Sequence, residues 1–247
     1  MRQIPRLYVA TPLAPHAALA LDEARSHYLA RVLRLETGAT VHLFDDQTGE
    51  YAAEIVHMAK RGLMLRVTTQ LRPRESVPDL WLLTAPIKRE RFLWIIEKAT
   101  ELGVARIMPV LTDRTNRERL NMQKLHAHMV EAAEQCERTA LPTLAEPQNL
   151  GQVIGDWPAE RRLFFADEEA GQPMAALNPT TPAAILIGPE GGFSPAERAS
   201  LLALPATRRL SLGPRILRAD TAVVAAIAQF QALSLTEFTL AYKPPPG

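Results

Sequence analysis

Two short stretches of the sequence combine glycine with charged residues in a way that suits ligand binding, and the first is 185–197. It begins with apolar residues of a buried strand and continues into a turn that contains Gly188, Gly191 and Gly192. Because glycine has no side chain, the backbone of this turn can approach a ligand closely. Glu190 favours a cationic or hydrogen-bond-donating ligand, and the sequence lacks the complete P-loop and dinucleotide-binding patterns. A plain tight turn explains the same glycines, so both interpretations stay open at this point.

The second stretch, 210–222, is a strand that ends in a Gly-Pro turn and is followed by a helix. Arg215 and Arg218 bracket two apolar residues, and the helix begins near Asp220. The helix continues through 222–228 without a polar face, which is typical of a buried helix. Charged groups at the start of such a helix are held by a well-packed element, as an active site requires. The alternative is that Asp220 only caps the helix and that the arginines are solvated.

The elements around these stretches predict an α/β domain. After a charged, proline-interrupted linker at 71–79, short apolar strands alternate with helices. Apolar strands between helices are typical of a parallel sheet that is covered on both faces. The predicted strands are 80–85, 105–110, 162–166, 183–187 and 208–212, and the predicted helices are 91–102, 125–138, 194–203 and 221–233.

The residues before the linker have a different pattern. One predicted helix at 22–33 precedes three short strands at 41–44, 51–58 and 63–70, which are separated by turn residues. In the last strand, apolar and polar residues alternate, as they do when one face of a sheet is buried. This half of the pattern predicts a small β-barrel-like domain.

Composition bounds the function without assigning it. The 28 Lys and Arg residues nearly balance 27 Asp and Glu, so an RNA surface must come from local clustering of basic residues. Cys136 is the single cysteine, and the sequence starts without the apolar core of a signal peptide, which together indicate a cytoplasmic protein. The longest late apolar run, 222–228, is too short to span a membrane. The six histidines form no metal-ligand pattern, so we predict no metal site.

Five stretches, in order along nearly the whole chain, resemble the signatures of the 16S ribosomal RNA uridine-N3 methyltransferases, a family of the SPOUT class. Residues 187–193 and 212–218 look like its two cofactor-loop motifs. Residues 98–104 and 131–138 are similar to its helix-to-strand signature and to the helix that follows. Residues 27–34 resemble the signature of its N-terminal domain.

The resemblance implies a SPOUT-type knotted parallel sheet with helices on both faces, preceded by a small PUA-like β-barrel domain. The implied bounds are 1–72 for the PUA-like RNA-binding domain and 76–247 for the methyltransferase domain with its trefoil knot. The implied cofactor is S-adenosylmethionine, held mostly by backbone groups. The implied partners are 16S ribosomal RNA within the small ribosomal subunit and a second copy of the chain.

The resemblance also implies which residues form the sites. The candidate cofactor contacts are Gly188, Glu190, Gly191, Gly192, Leu212, Gly213, Ile216, Leu217, Arg218 and Thr221. The candidate RNA contacts are Arg31, Arg34, Lys88, Arg114 and Arg138. Arg114 belongs either to a solvated loop or to a phosphate-binding patch, and we favour the patch.

The implied reaction is transfer of a methyl group to N3 of a uridine, which must lose a proton before or during attack. Arg218 is the candidate for stabilising the uridine anion or binding its phosphate, while Glu190 and Asp220 are candidate proton acceptors. The family usually carries Glu at the position of Asp220, which is one methylene shorter. Two alternatives remain: a SPOUT enzyme that acts on another base or on a ribose 2′-hydroxyl, and a non-catalytic RNA-binding protein.

Overall fold

The computed structural model of the protein describes residues 4–59, 62–115 and 119–234. By its contacts the chain divides into two units, residues 1–76 with 133–141, and residues 77–132 with 142–247. The predicted domain bounds, 1–72 and 76–247, do not anticipate that 133–141 belongs with the first unit. The bounds themselves stay a prediction, and residues after 234 lie outside the described part.

The first unit is built on a five-stranded sheet. Its elements are β1 (Arg6–Tyr8), β2 (Ala18–Ala20), α1 (Glu23–His27), a π-helix (Tyr28–Val32), β3 (Thr40–Asp45), β4 (Gly49–Ala59) and β5 (Gly62–Pro73). The strand order is β1-β3-β4-β5-β2, with β1 parallel to β3 and the other pairs antiparallel. Alternate residues of β3, β4 and β5 are buried, and they form one apolar core with Leu29 of the π-helix.

Two expectations for the first unit need correction. The predicted helix at 22–33 is a five-residue α-helix, capped by the side chain of Asp22, that continues as a π-helix. It ends where Leu33 N donates to Tyr28 O and Arg34 takes a positive φ of 54°. The predicted linker at 71–79 also begins too early, because β5 extends to Pro73.

A buried carboxylate organises the charged side of the first unit. Glu50, with a side chain that is 5% exposed, accepts hydrogen bonds from Arg6 Nε at 2.8 Å and Arg72 Nε at 2.5 Å. His42 Nδ1 lies 3.6 Å from the same carboxylate. Burial raises the pKa of Glu50, but the nearby His42 imidazole and the hydrogen bonds and charges of the two arginines outweigh burial and lower this pKa to about 2.

The same arginines attach the distant segment 133–141 to the first unit. Arg6 donates to the carbonyl oxygens of Ala133 at 2.7 Å and Arg138 at 2.8 Å, and Arg72 donates to that of Glu137. Glu50 therefore holds the two cations that bind a segment far along the chain.

The second unit is built on an eight-stranded sheet in which all described pairs are parallel. The strand order is β11-β13-β10-β12-β6-β7-β8, with β9 also paired to β7. The strands are β6 (Leu80–Thr84), β7 (Arg106–Leu111), β8 (Thr143–Leu144), β9 (Gln148–Asn149), β10 (Arg162–Ala166), β11 (Gln172–Pro173), β12 (Ala183–Ile187) and β13 (Thr207–Ser211). The helices are α2 (Arg89–Glu101), α3 (Met122–Gln135), α4 (Leu150–Gly155), α5 (Pro195–Ala203) and α6 (Ala219–Ser234). The last residues of α3, from Ala133, belong to the first unit.

This architecture confirms the predicted α/β class with a parallel sheet flanked by helices. The strands predicted at 162–166 and 183–187 have the predicted bounds, because each is a continuous apolar run that is buried in the sheet. The short elements β8, β9, β11 and α4 were not predicted, since two to six residues carry too little periodicity. Among the described residues, no helix is long and apolar enough to cross a membrane.

We expect Glu50→Gln to destabilise the fold in a pH-dependent way. The pKa of Glu50 is lowered from 4.5 to about 2, so its ionic contribution is complete above pH 4.5 and is lost as the pH falls towards 2. The shift corresponds to about 3 kcal/mol at neutral pH. Urea unfolding at several pH values measures the difference, which should shrink between pH 4.5 and 2.

Glu54→Gln is the matched control, because Glu54 lies on the same strand and is exposed. Its free energy of unfolding should stay within about 0.5 kcal/mol of the parent value. Equal stability of the Glu50 and Glu54 variants at neutral pH would contradict the role of the buried cluster.

Candidate functional site

Three loops meet at one edge of the parallel sheet of the second unit. They are residues 167–171 after β10, 188–194 after β12 and 212–218 after β13. Because β10 pairs with both β12 and β13 in parallel, the carboxyl ends of the three strands are neighbours. The loops line a cavity of about 580 Å³, a size typical of small-molecule sites. Ligands of open parallel sheets commonly bind at this edge.

The loop at 188–194 has a well-defined shape. It leads into α5, where the Ser194 side chain caps the helix and Glu197 completes a capping box. A Cβ atom at Gly188 would lie 2.6 Å from the ring of Phe193, so a side chain at this position would displace that ring. The Phe193 ring in turn packs edge-on against Phe165 of β10, with centroids 5.2 Å apart. Glycine at 188 therefore leaves room for the Phe193 ring, which packs against β10.

The loop at 212–218 is more open. Gly213 has a φ of 116°, a conformation that other residues rarely adopt, and a Cβ built there would meet no atom within 4 Å. Gly213 therefore lines the cavity and faces open space. Arg215 and Arg218 are exposed, and Ile216 is 87% exposed. Ile216 is therefore open to solvent in the single chain.

Most of the predicted cofactor residues lie around the cavity. Eight of the ten line it: Gly188, Glu190, Gly192, Leu212, Gly213, Ile216, Leu217 and Arg218. The other two do not. Gly191 is turned towards Arg114, whose side-chain carbons would lie 3.5 Å from a Cβ at 191, and Thr221 follows the cavity residues in the first turn of α6.

The structure places two of the three predicted catalytic residues at the cavity and the third outside its lining. Glu190 and Arg218 are exposed and line the cavity. Asp220 does not line it, and its Oδ2 accepts a hydrogen bond at 3.1 Å from Nη1 of Arg91, a residue of α2. The Asp220 Oδ1 atom accepts from the backbone N of Thr221 at 2.9 Å. Asp220 therefore joins the starts of α2 and α6. It is the second residue of α6 and not the helix cap that the alternative interpretation predicted.

The five predicted RNA contacts also differ in their surroundings. Arg31 and Arg34 are exposed in the first unit, and Lys88 is exposed at the start of α2. Arg114 is exposed, and its Nη1 donates to Gly191 O at 2.6 Å. Arg138 is 4% exposed, with Nε 3.9 Å from Glu75 Oε1, and burial lowers its pKa to about 10. Arg138 is therefore enclosed in the first unit, unlike the other four residues, and its contact with RNA stays a prediction.

An acidic loop of the cavity was missed by the sequence interpretation. Asp167, with a side chain that is 2% exposed, accepts from Arg198 Nη2 at 3.0 Å and from Arg209 Nε at 2.7 Å. It is followed by the exposed residues Glu168 and Glu169, which line the cavity. The predicted strand 162–166 points to this loop, since it ends at the same edge as the two recognised motifs. The two recognised loops were identified by their glycine-containing motifs, and the three acidic residues belong to no such motif.

Among the described residues, no group of three or more His, Cys, Asp or Glu side chains is placed so that it could hold a metal ion.

Comparisons with known proteins agree with this geometry. Residues 73–231 match the RNA methyltransferase domain family, and residues 21–68 match the RNA methyltransferase PUA domain family. Two proteins named ribosomal RNA small subunit methyltransferase E are similar along the chain. The one from Rickettsia conorii is 30% identical over 92% of this chain and 95% of its own length, and the one from Synechocystis is 34% identical over 92% and 77%.

A solved structure has the same fold. A protein from Legionella pneumophila, solved in complex with the bound cofactor SAM, is 29% identical and has a TM-score of 0.86. The match covers 94% of this chain and 98% of that one. Domain match and fold together assign the protein to the RNA methyltransferases of the SPOUT class. Within that class, the two relatives named ribosomal RNA small subunit methyltransferase E are similar over 92% of this chain. The chain belongs to the ribosomal RNA small subunit methyltransferase E family.

Proposed function

We propose that this protein transfers a methyl group from S-adenosylmethionine to N3 of a uridine in 16S ribosomal RNA. The observation that carries the proposal is the cavity at the carboxyl edge of β10, β12 and β13. It is lined by the loops at 188–194 and 212–218, which include Glu190 and Arg218. Membership of the methyltransferase E family supports the RNA substrate, and the SAM-bound Legionella relative supports the cofactor.

The cavity residues fit a cofactor of this chemistry. Gly213 lines the cavity and faces open space, so a ligand can approach its backbone closely. Glu168, Glu169 and Glu190 bring carboxylates to the lining, which suits the positive sulfonium and ammonium groups of S-adenosylmethionine. We propose that Gly188, Gly192, Leu212 and Leu217 contact it mostly through backbone, with Thr221 and Gly191 outside this contact set.

Bound S-adenosylmethionine would supply an electrophilic methyl group on its sulfonium. The chain must then manage the uridine, since N3 carries a proton and becomes nucleophilic when that proton leaves. We propose that the Arg218 guanidinium donates hydrogen bonds to a uridine carbonyl and stabilises the negative charge that develops as N3 loses its proton. Glu190 is the proposed proton acceptor, because its carboxylate lines the same cavity, whereas that of Asp220 is bound to Arg91.

Contacts to the RNA backbone are proposed for exposed cations of both units. Arg31 lies in the π-helix of the first unit and Arg34 follows that helix, whose first residue, Tyr28, is 43% exposed. Lys88 lies at the start of α2. Such side chains bind phosphates without reading sequence, so they would position the RNA and not select the uridine. The exposed Cys136 is compatible with a cytoplasmic location, where ribosomal RNA is found.

Self-association is the remaining part of the proposal. The second unit exposes Trp94 of α2 at 38%, Leu233 of α6 at 43% and Ile216 at 87%. Because α2 packs against α6, the first two belong to neighbouring helices. Large exposed apolar side chains commonly mark an interface, and a second copy of the chain is the partner that we propose.

For the cofactor site, we expect Gly213→Ala to bind S-adenosylmethionine more weakly than Gly191→Ala. A side chain at 213 is strained at a φ of 116°, while a Cβ at 191 makes an ordinary 3.5 Å contact with Arg114 outside the cavity. The strain should reduce affinity about tenfold in the first variant. Calorimetric titration measures both constants, and equal affinities would remove Gly213 from the site.

For catalysis, we expect Arg218→Ala to lower the single-turnover methylation rate by roughly a hundredfold, or about 3 kcal/mol. Arg218→Lys should be nearly as slow, because an ammonium group lacks the two parallel donors of a guanidinium. Cofactor and RNA are kept saturating, so the measured rate reports the chemical step. The matched control is Arg208→Ala, since Arg208 is exposed on β13 and donates to nearby carbonyl oxygens of its own strand region. A near-parental rate for Arg218→Ala would exclude this residue from catalysis.

For assembly, light scattering should give the mass of two chains of 27.3 kDa each. We expect Trp94→Glu to shift the protein towards the monomer, because a charge on an apolar interface must be desolvated. Leu202→Glu is the control, since Leu202 is an exposed apolar residue of α5 that is 39% exposed. A parent protein with the mass of one chain would rule out the dimer.

A further inference from the structure

The loop that follows β7 contacts the loop at 188–194, although β6 lies between β7 and β12 in the sheet. We call residues 112–115 the β7 loop. Its Arg114 Nη1 donates to Gly191 O at 2.6 Å. The Cβ and Cδ atoms of Arg114 lie 3.5 Å from the position that a Cβ of Gly191 would take. The arginine therefore lies along the backbone at 191 and also binds its carbonyl.

A second set of bonds joins the β7 loop to the end of the same glycine-rich loop. Ser194 Oγ donates to Asp113 Oδ2 at 2.6 Å, and Asp113 N donates to Glu197 Oε1 at 2.8 Å. Glu197 Oε2 also accepts from Ser194 N at 2.8 Å, and Ser194 Oγ accepts from Glu197 N at 3.3 Å. The capping box of α5 is thus extended into a closed hydrogen-bonded ring that includes Asp113.

The β7 loop is itself well held. Thr112 and Thr115 are 4% and 7% exposed, and their hydroxyl oxygens lie 2.8 Å apart. Thr112 N donates to the Thr115 hydroxyl at 2.9 Å, and Thr115 N donates to Thr112 O at 3.2 Å. A buried turn of this kind presents the side chains of the two residues between its threonines, Asp113 and Arg114, in a fixed direction.

We propose that Asp113 and Arg114 are positioning residues that hold the glycine-rich loop in the shape that binds the cofactor. The inference rests on the proposed function of that loop and assigns to Arg114 a role other than contact with RNA. Glycine-rich backbone loses more freedom on ordering than other backbone. Bonds at Gly191 and Ser194 order the loop before the ligand arrives, so less binding free energy is lost to ordering it.

The two roles of Arg114 predict different results in the absence of RNA. A residue that only binds phosphate leaves S-adenosylmethionine affinity unchanged and changes the salt dependence of RNA binding. A positioning residue changes cofactor affinity with no RNA present. Measurements on the full-length protein without RNA therefore separate the positioning role from a phosphate contact.

The experiment compares S-adenosylmethionine affinity, by calorimetric titration, for the parent, Arg114→Ala, Asp113→Ala and Arg114→Lys. Each alanine variant should bind about tenfold more weakly, because a charge-assisted hydrogen bond to the loop is lost. Lysine can still donate to Gly191 O, so Arg114→Lys should recover affinity to within about threefold of the parent. Arg119→Ala is the control, since Arg119 is exposed and lines neither the cavity nor the glycine-rich loop.

Hydrogen exchange on the cofactor-free proteins provides an independent readout. The amides of 191–194 should exchange faster in both alanine variants, while thermal unfolding midpoints stay within about 3 °C of the parent. Parental cofactor affinity and parental exchange in both variants would overturn the positioning role. A parent that binds no S-adenosylmethionine would overturn the proposed function, whereas a binding parent with unaffected variants would overturn only the role of the β7 loop.

Discussion

The parallel pairing of β10 with β12 on one side and β13 on the other is the constraint on which the site depends. Phe165 is in register with Leu186 of β12 and with Arg209 of β13, so the three strands end within a residue or two of one another. Parallel strands leave a sheet at the same edge, which brings three loops together although they are separated by long stretches of sequence. The cavity is a consequence of this register, and a shift in it would separate the loops.

The three loops are held in different ways, and the differences bear on function. Ion pairs from Asp167 to Arg198 and Arg209 hold the first loop, and the capping box with the β7 loop holds the second. The third loop exposes Ile216 almost fully and has open space at Gly213. Stability is not uniform across a structure, and the loop with the most open surroundings is the one whose conformation a ligand or a second chain can influence most.

Charge has a structural role in both units. In the first unit, Glu50 compensates two arginines that bind carbonyl oxygens of the segment 133–141. In the second unit, Asp167 is buried between two arginines beside the cavity. Buried charges are tolerated when each has a partner and hydrogen bonds, as here. A near-neutral overall composition therefore conceals strongly charged local clusters, some of which organise backbone and leave their cations unavailable to RNA.

Local patterns in the sequence were sufficient for the central strands, the capping box at Ser194 and Glu197, and the two glycine-containing loops. Each depends on residues that are neighbours along the chain, since apolar runs, helix caps and tight turns are encoded within a few positions. Partnerships over long distances were decided only by the tertiary structure. Asp220 binds Arg91, which is 129 residues away, and Arg114 binds the carbonyl of Gly191, which is 77 residues away. Charged side chains have many possible partners in a sequence, and folding selects among them by bringing strand ends and helix starts together.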